Sequence, residues 1–211
     1  MFNARSKILK KDDEKTELEE EIAKILYDYE MQLKDDSAVK KDIVKIFISS
    51  VEEFTVHERN GHQSKAYLIK IPYKSLKSFR TIRGNVVNQL EKKLNAQVYF
   101  VAVRRILSKH VKTPGVNKRP TSRTLTSVHA SILEDIVLPS SIVGRQTRVN
   151  IDGSLATKIY LDPLDKDKVE DRLDSMSEAY KRATHKKVKF FFAKPTKFQK
   201  VLAEMKKKQK Q

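Results

Sequence analysis

The sequence predicts an α/β fold of the mixed α+β kind: one mixed, largely antiparallel sheet flanked by helices, with a basic loop and a basic C-terminal tail. Three observations lead there. Segments with apolar residues at every third or fourth position alternate with short runs rich in β-branched and aromatic residues, so helices and strands interleave. Asn60-Gly61 and Asp152-Gly153 each fall between two such runs, and turns of that chemistry make the flanking strands antiparallel neighbours. The 211 residues are 39% hydrophobic, enough for one sizeable core. No internal repeat and no second domain are visible. Residues 1–192 read as a single domain with a flexible basic loop at about 108–123, and residues 193–211 as a lysine-rich C-terminal extension.

The elements follow in order. Leu18, Ile22, Ile25, Leu26, Tyr29 and Leu33 recur at steps of three and four and form the inward stripe of a helix. Ile43–Val56 reads as a strand, and Ala66–Ile71 as its hairpin partner across a loop longer than minimal, until Pro72 stops it. Leu76, Phe79, Val86, Val87, Leu90 and Leu94 trace a second helical stripe. Gly84 is expected to divide it into two short helices, because Gly costs about 1 kcal/mol against Ala.

Gln97–Val103 is too continuously apolar for a half-wet surface and reads as a central strand buried on both faces. Ser108–Arg123 holds Pro114, Gly115 and Pro120 and no acid, so it is a loop that is disordered in isolation. Thr124 or Ser122 caps a helix that turns Leu125, Val128, Ile132, Leu133 and Ile136 inward and ends before Pro139. Arg145–Ile151, the Asp152-Gly153 turn and Leu155–Leu161 make a second hairpin. Val169, Leu173, Met176 and Tyr180 place a helix over Asp165–Thr184, and Val188–Phe192 is the last strand.

Charge points to the partner. Forty-four Lys and Arg face 27 Asp and Glu, a net +17, as expected of a polyanion binder. The excess is local. Residues 74–123 hold thirteen basic residues against one acid and residues 181–211 twelve against one, whereas 1–35 and 124–180 are net acidic. Clustered cations follow a polyphosphate track, while cations that serve only solubility spread evenly. The absence of cysteine excludes disulfides and thiolate metal sites and fits a reducing compartment. No stretch approaches the roughly 20 apolar residues of a bilayer span, and the start lacks the apolar run of a signal peptide, so no membrane partner is expected.

Catalysis finds no support. The histidines at 57, 62, 110, 129 and 185 are scattered, and the glycines never take phosphate-loop or dinucleotide spacing. Glu134-Asp135 and the group Asp165, Asp167, Glu170 and Asp171 could imitate an acid–base pair or a Mg²⁺ site, but at helical spacing they are expected to face solvent. The chain therefore reads as no enzyme, with no catalytic or metal residues, no cofactor and no small-molecule substrate.

Phosphate backbones need only positive charge and donors along a path. Arg104 and Arg105, where the apolar strand ends, begin such a path, and Lys109, Lys112, Lys118, Arg119 and Arg123 continue it through the loop. Arg80 and Arg83, in the same basic block, complete the candidate RNA-binding residues. Stacking aromatics are missing from the segment, so shape and phosphate recognition outrank sequence reading. The tail lysines at 194, 197, 200, 206, 207, 208 and 210 form a secondary basic run.

Ser122-Arg-Thr-Leu-Thr-Ser-Val-His129, Ile132-Leu-Glu-Asp135, Pro139-Ser140 and Ile142-Val-Gly144 strongly resemble ribosomal protein seven of the eukaryotic small (40S) subunit, a family unrelated to the bacterial protein of that number. Met1-Phe2 with Lys7-Ile8, Leu76-Lys-Ser-Phe79, Leu90-Glu-Lys-Lys93 and Arg104-Arg-Ile-Leu107 are similar to the family in the same order, so the likeness spans roughly residues 1 to 192. The resemblance implies a structural constituent of the small subunit, contacting 18S ribosomal RNA and neighbouring ribosomal proteins. It further implies assembly factors as partners during maturation, first in the nucleolus and then in the cytoplasmic ribosome. The segment after Phe192 departs from the family pattern, and the 108–121 loop keeps its basicity but not its wording. An RNA chaperone or translation regulator acting off the ribosome shares the composition, and the resemblance, not the charge, disfavours it.

Overall fold

The structure, a computed structural model, describes residues 2–10, 15–33, 38–57, 63–109 and 119–194. After a short helix α1 (Phe2–Arg5), the long helix α2 (Glu17–Gln32) starts on a capping box. The Thr16 hydroxyl accepts from the Glu19 amide, and the Glu19 carboxylate accepts from the Thr16 amide. Its expected stripe is buried, with Leu18, Tyr29 and Leu33 packed at the rim. Helix α3 (Ala38–Val44) then occupies the start of the expected first strand, which begins only at Ser50. Ile43, Ile46 and Ile48 are nonetheless fully buried and serve the core, with Ile48 joining Ile8 in an isolated parallel bridge.

Strands β1 (Ser50–His57) and β2 (Gln63–Pro72) pair antiparallel as the hairpin requires, while its turn at Asn60-Gly61 lies outside the described residues. Helix α4 (Leu76–Leu94) runs unbroken through Gly84, against the expected division. Its buried face, Phe79, Ile82, Val86, Val87 and Leu90, outweighs the roughly 1 kcal/mol that one glycine costs. Strand β3 (Gln97–Val103) then returns parallel to β2, giving the order β1-β2-β3.

The second half repeats this plan. Helix α5 (Leu125–Val137) leads into β4 (Ile142–Val149) and β5 (Leu155–Leu161), an antiparallel pair. Two short helical pieces, α6 (Lys166–Val169) and α7 (Leu173–Thr184), precede β6 (Val188–Phe192), which lies parallel to β5. The strands thus form two three-stranded sheets rather than one, and each is half parallel rather than largely antiparallel. The mixed α/β class holds. Its arrangement differs because each hairpin is followed by its own crossover helix, which returns the chain to the hairpin's second strand. A hairpin–helix–parallel-strand unit therefore occurs twice, a repeat of topology without a repeat of sequence.

The first sheet is buried on both sides. One face, with Tyr67, Ile69, Val98 and Phe100, packs on α2 and α4. The other, with Leu68, Tyr99 and Val101, packs against α5, α7 and the inner face of the second sheet. β3 is buried on both faces as expected, but it is an edge strand and not the central one. Carboxylates close that edge: Glu91 accepts from the Val98 amide at 3.3 Å, and Asp135 from the Ala102 amide at 3.2 Å.

Candidate nucleic-acid interface

Residue by residue, the candidate cations divide into those tied to the protein and those left outward. Arg104 is tied. Its side chain is 11% exposed, its Nη1 lies 2.5 Å from Asp135 Oδ2 and 3.2 Å from the Ala102 carbonyl, and its guanidinium sits 5.7 Å from the centre of the Tyr73 ring. Asp135 was expected to face solvent but is buried, because α5 places it opposite the end of β3. It also takes a weaker 3.4 Å contact from Arg80, whose side chain remains half exposed. Two arginines on one carboxylate leave a net positive charge at the surface.

Arg83 is tied as well. It donates to the Leu138 carbonyl, and burial, with Arg172 nearby, lowers its pKa from 12.5 to about 10, so it stays a cation at neutral pH. Arg80 and Arg83 line a cavity of about 650 Å³ between α4 and the α5–β4 connection, and Glu134 shares that lining. An acid there opposes phosphate entry.

The base of the basic loop is clasped. Arg119 Nη1 donates to the Leu107 carbonyl at 2.8 Å, and the Leu107 amide donates to the Arg123 carbonyl at 3.0 Å, so residues 107 and 119–123 are held side by side. A 3₁₀ turn at Thr121–Arg123 leads to Thr124, whose hydroxyl accepts from the Ser127 amide and caps α5. Around this clasp Arg105, Lys109 and Arg123 are exposed, and their side chains make no hydrogen bond or ion pair among the described residues. Lys112 and Lys118, with the tail lysines beyond 194, lie outside the described residues.

Elsewhere the expectations meet mixed outcomes. Leu125 is 48% exposed, not inward, because it opens the first turn of α5 away from the core. The helix expected over Asp165–Thr184 is divided at Glu170–Arg172, where a 3₁₀ turn joins α6 to α7. Its acids are neutralised locally, Lys168 binding Asp165 at 3.0 Å and Lys166 binding Glu170 at 3.4 Å. Among the described residues no cluster of three metal-ligating side chains occurs, and no helix is long and apolar enough to cross a membrane.

One group of cations escaped the sequence reading. A cleft of about 540 Å³ between α5, the β4–β5 hairpin and the α7–β6 junction collects Arg145, Lys186, Lys187, His129 and His185. Its residues come from three separate places in the chain, and of its cations Lys186 and Lys187 alone belong to a basic run visible in the sequence.

Residues 6–192 match the family described as Ribosomal protein S7e. The small ribosomal subunit protein eS7 of Avicennia marina is 40% identical over 194 residues, covering 91% of this chain and 98% of that protein. Protein eS7z of Arabidopsis thaliana is 37% identical over 91% of this chain and 97% of its own length. The eS7 protein of Schizosaccharomyces pombe is 39% identical over 90% and 96%.

Proposed function

The chain belongs to the ribosomal protein S7e family, and from that membership we propose that it is a structural constituent of the small ribosomal subunit, gripping small-subunit ribosomal RNA and supporting subunit assembly and translation. It is a structural protein and not an enzyme. Its place is the ribosome in the cytoplasm, reached through assembly in the nucleolus with the help of assembly factors.

The observation that carries the RNA-binding reading is the division of the basic block. Arg104 and Arg119 hold the end of β3 and the neck of the loop, and Arg83 ties α4 to the α5–β4 connection. Arg105, Lys109 and Arg123 are exposed beside that base, and their side chains have no carboxylate partner among the described residues. Exposed cations of this kind suit a phosphate backbone, since the affinity comes from neutralised phosphates and released counterions. The acidic outer face of α2 is the surface left for neighbouring ribosomal proteins.

Expressed with a small tag in a eukaryotic cell, the chain should co-sediment with small subunits through a sucrose gradient, and its depletion should deplete mature small subunits. A chain found only at the top of the gradient would contradict the proposal.

A further inference from the structure

The cleft between α5, the β4–β5 hairpin and the α7–β6 junction has properties that the RNA-binding reading above does not use. Thr126, His129, Arg145, His185, Lys186 and Lys187 contribute to its wall, and no carboxylate lines it among the described residues. Arg145, Lys186 and Lys187 are exposed and make no ion pair among the described residues. His129 Nδ1 is shut off from solvent and has no hydrogen-bond partner among the described residues, a state that buried polar atoms rarely show. Burial, and then the charge of Lys186, hold the His129 imidazole below its ordinary pKa.

The location is as informative as the composition. Arg123 ends the 3₁₀ turn that leads into α5, and Thr126 and His129 stand three and six residues further along the chain on that helix, so the cleft follows directly from the loop's base. The volume of about 540 Å³ falls within the range of sites that hold a group of small-molecule size, which a nucleotide is. His185, at a backbone φ of 58°, ends α7 in the left-handed conformation and turns the chain so that Lys186 and Lys187 follow directly into the wall.

We propose that this cleft is a second ribonucleotide-backbone site, in which Arg145, Lys186 and Lys187 neutralise RNA phosphates while Thr126 and His129 offer hydrogen bonds. It rests on the reading of the chain as an RNA-binding ribosomal protein. RNA is favoured over an acidic peptide because the cleft prolongs the Arg105–Lys109–Arg123 path and because Arg, Lys and hydroxyl donors match phosphate oxygens. The sequence shows only part of it: Lys186 and Lys187 fall in the basic 181–211 segment, whereas Arg145 falls in the net-acidic 124–180 segment, where Asp135 is buried against Arg104 and Asp165 and Glu170 pair with Lys168 and Lys166.

The test uses the full chain and a small-subunit ribosomal RNA transcript, titrated over a salt series. Arg145→Gln, Lys186→Gln and Lys187→Gln together should lower affinity at low salt at least tenfold and flatten the log K against log salt slope by roughly 2, about 0.7 per lost phosphate contact. Arg145→Lys with Lys186→Arg and Lys187→Arg should restore both, and thermal unfolding should match wild type in each variant. A folded glutamine variant with wild-type affinity and slope overturns the cleft site while leaving the RNA-binding reading intact. Absence of salt-dependent binding by the wild-type chain overturns both. Displacement of the RNA by polyglutamate beyond its ionic-strength effect overturns the choice of RNA. Inorganic phosphate that fills the cleft without lowering the RNA slope marks a free-phosphate site and also overturns the proposal.

Discussion

At the scale of single residues, Asp135 organises the end of the first sheet. One buried carboxylate takes the Ala102 amide, the Arg104 guanidinium and the outer Arg80, and so closes a strand edge, neutralises a mostly buried cation and orients a surface one. Removing one partner of such a pair leaves the other buried and unpaired. Asp135→Ala should therefore cost about 3 kcal/mol in urea unfolding, and a loss below about 1 kcal/mol would show that Arg104 does not depend on it. Tyr99 gives a second reading of the core. Its hydroxyl is hydrogen-bonded to Ser175 at 2.5 Å and to Gln97 at 3.0 Å, and burial pushes its pKa up to about 12. The unfolded chain loses this proton near pH 10 and the folded one near 12. Stability should hold below pH 10 and fall by roughly 3 kcal/mol as pH rises to 12. Tyr99→Phe should remove that alkaline loss, which equilibrium unfolding across the pH series measures.

The candidate site was half legible at this scale. The arginines of the basic block could be named from charge alone, but a sequence does not say which cation finds a carboxylate. Arg104 and Arg105 are adjacent and chemically identical, and the course of the chain just past β3 turns one inward to Asp135 and the other to solvent. Asp135 looked like a surface acid because its partner Arg104 lies 31 residues away.

At the scale of elements, period and turn chemistry were the readable signals. The stripes of α2, α4 and α5, both hairpins and the last strand follow from them. What tertiary contacts decide was hidden. Ile43–Ile48 carry strand-like residues yet enter a helix and an irregular segment, because their burial, more than their pairing, is what the fold uses. Gly84 was misleading in the opposite direction. It sits mid-helix, and a Cβ built there meets nothing within 4 Å. Gly84→Ala should therefore stabilise the protein by about 1 kcal/mol, a rise in Tm of roughly 2 to 4 °C. Calorimetry checks this, and a lower Tm would mean that the neighbouring cavity must stay clear. The second hairpin shows how turn chemistry refines itself. Asp152-Gly153 does turn the chain, but β4 stops at Val149, and the Asn150 amide bonds to the Ser154 carbonyl at 3.0 Å. Gly153 takes a φ of 75°, which closes a three-residue loop that a two-residue turn could not.

At the scale of the molecule, two copies of one hairpin–helix–strand plan share the core around α5 and α7, and the basic surface runs where they meet. The repeat was invisible in the sequence because each copy satisfies the same topology with different residues. The fold uses Arg83, Arg104 and Arg119 for itself and leaves Arg105, Lys109 and Arg123 exposed, the set proposed to meet RNA. The most direct measurement compares the two sets for binding to a small-subunit ribosomal RNA transcript over a salt series. Arg105→Ala with Lys109→Ala and Arg123→Ala should keep wild-type stability and flatten the salt slope by roughly 2. Arg104→Ala should lose stability, and at temperatures where it remains folded it should keep the slope. A triple variant with an unchanged slope, or an Arg104→Ala variant that is fully stable but loses RNA, would contradict the account.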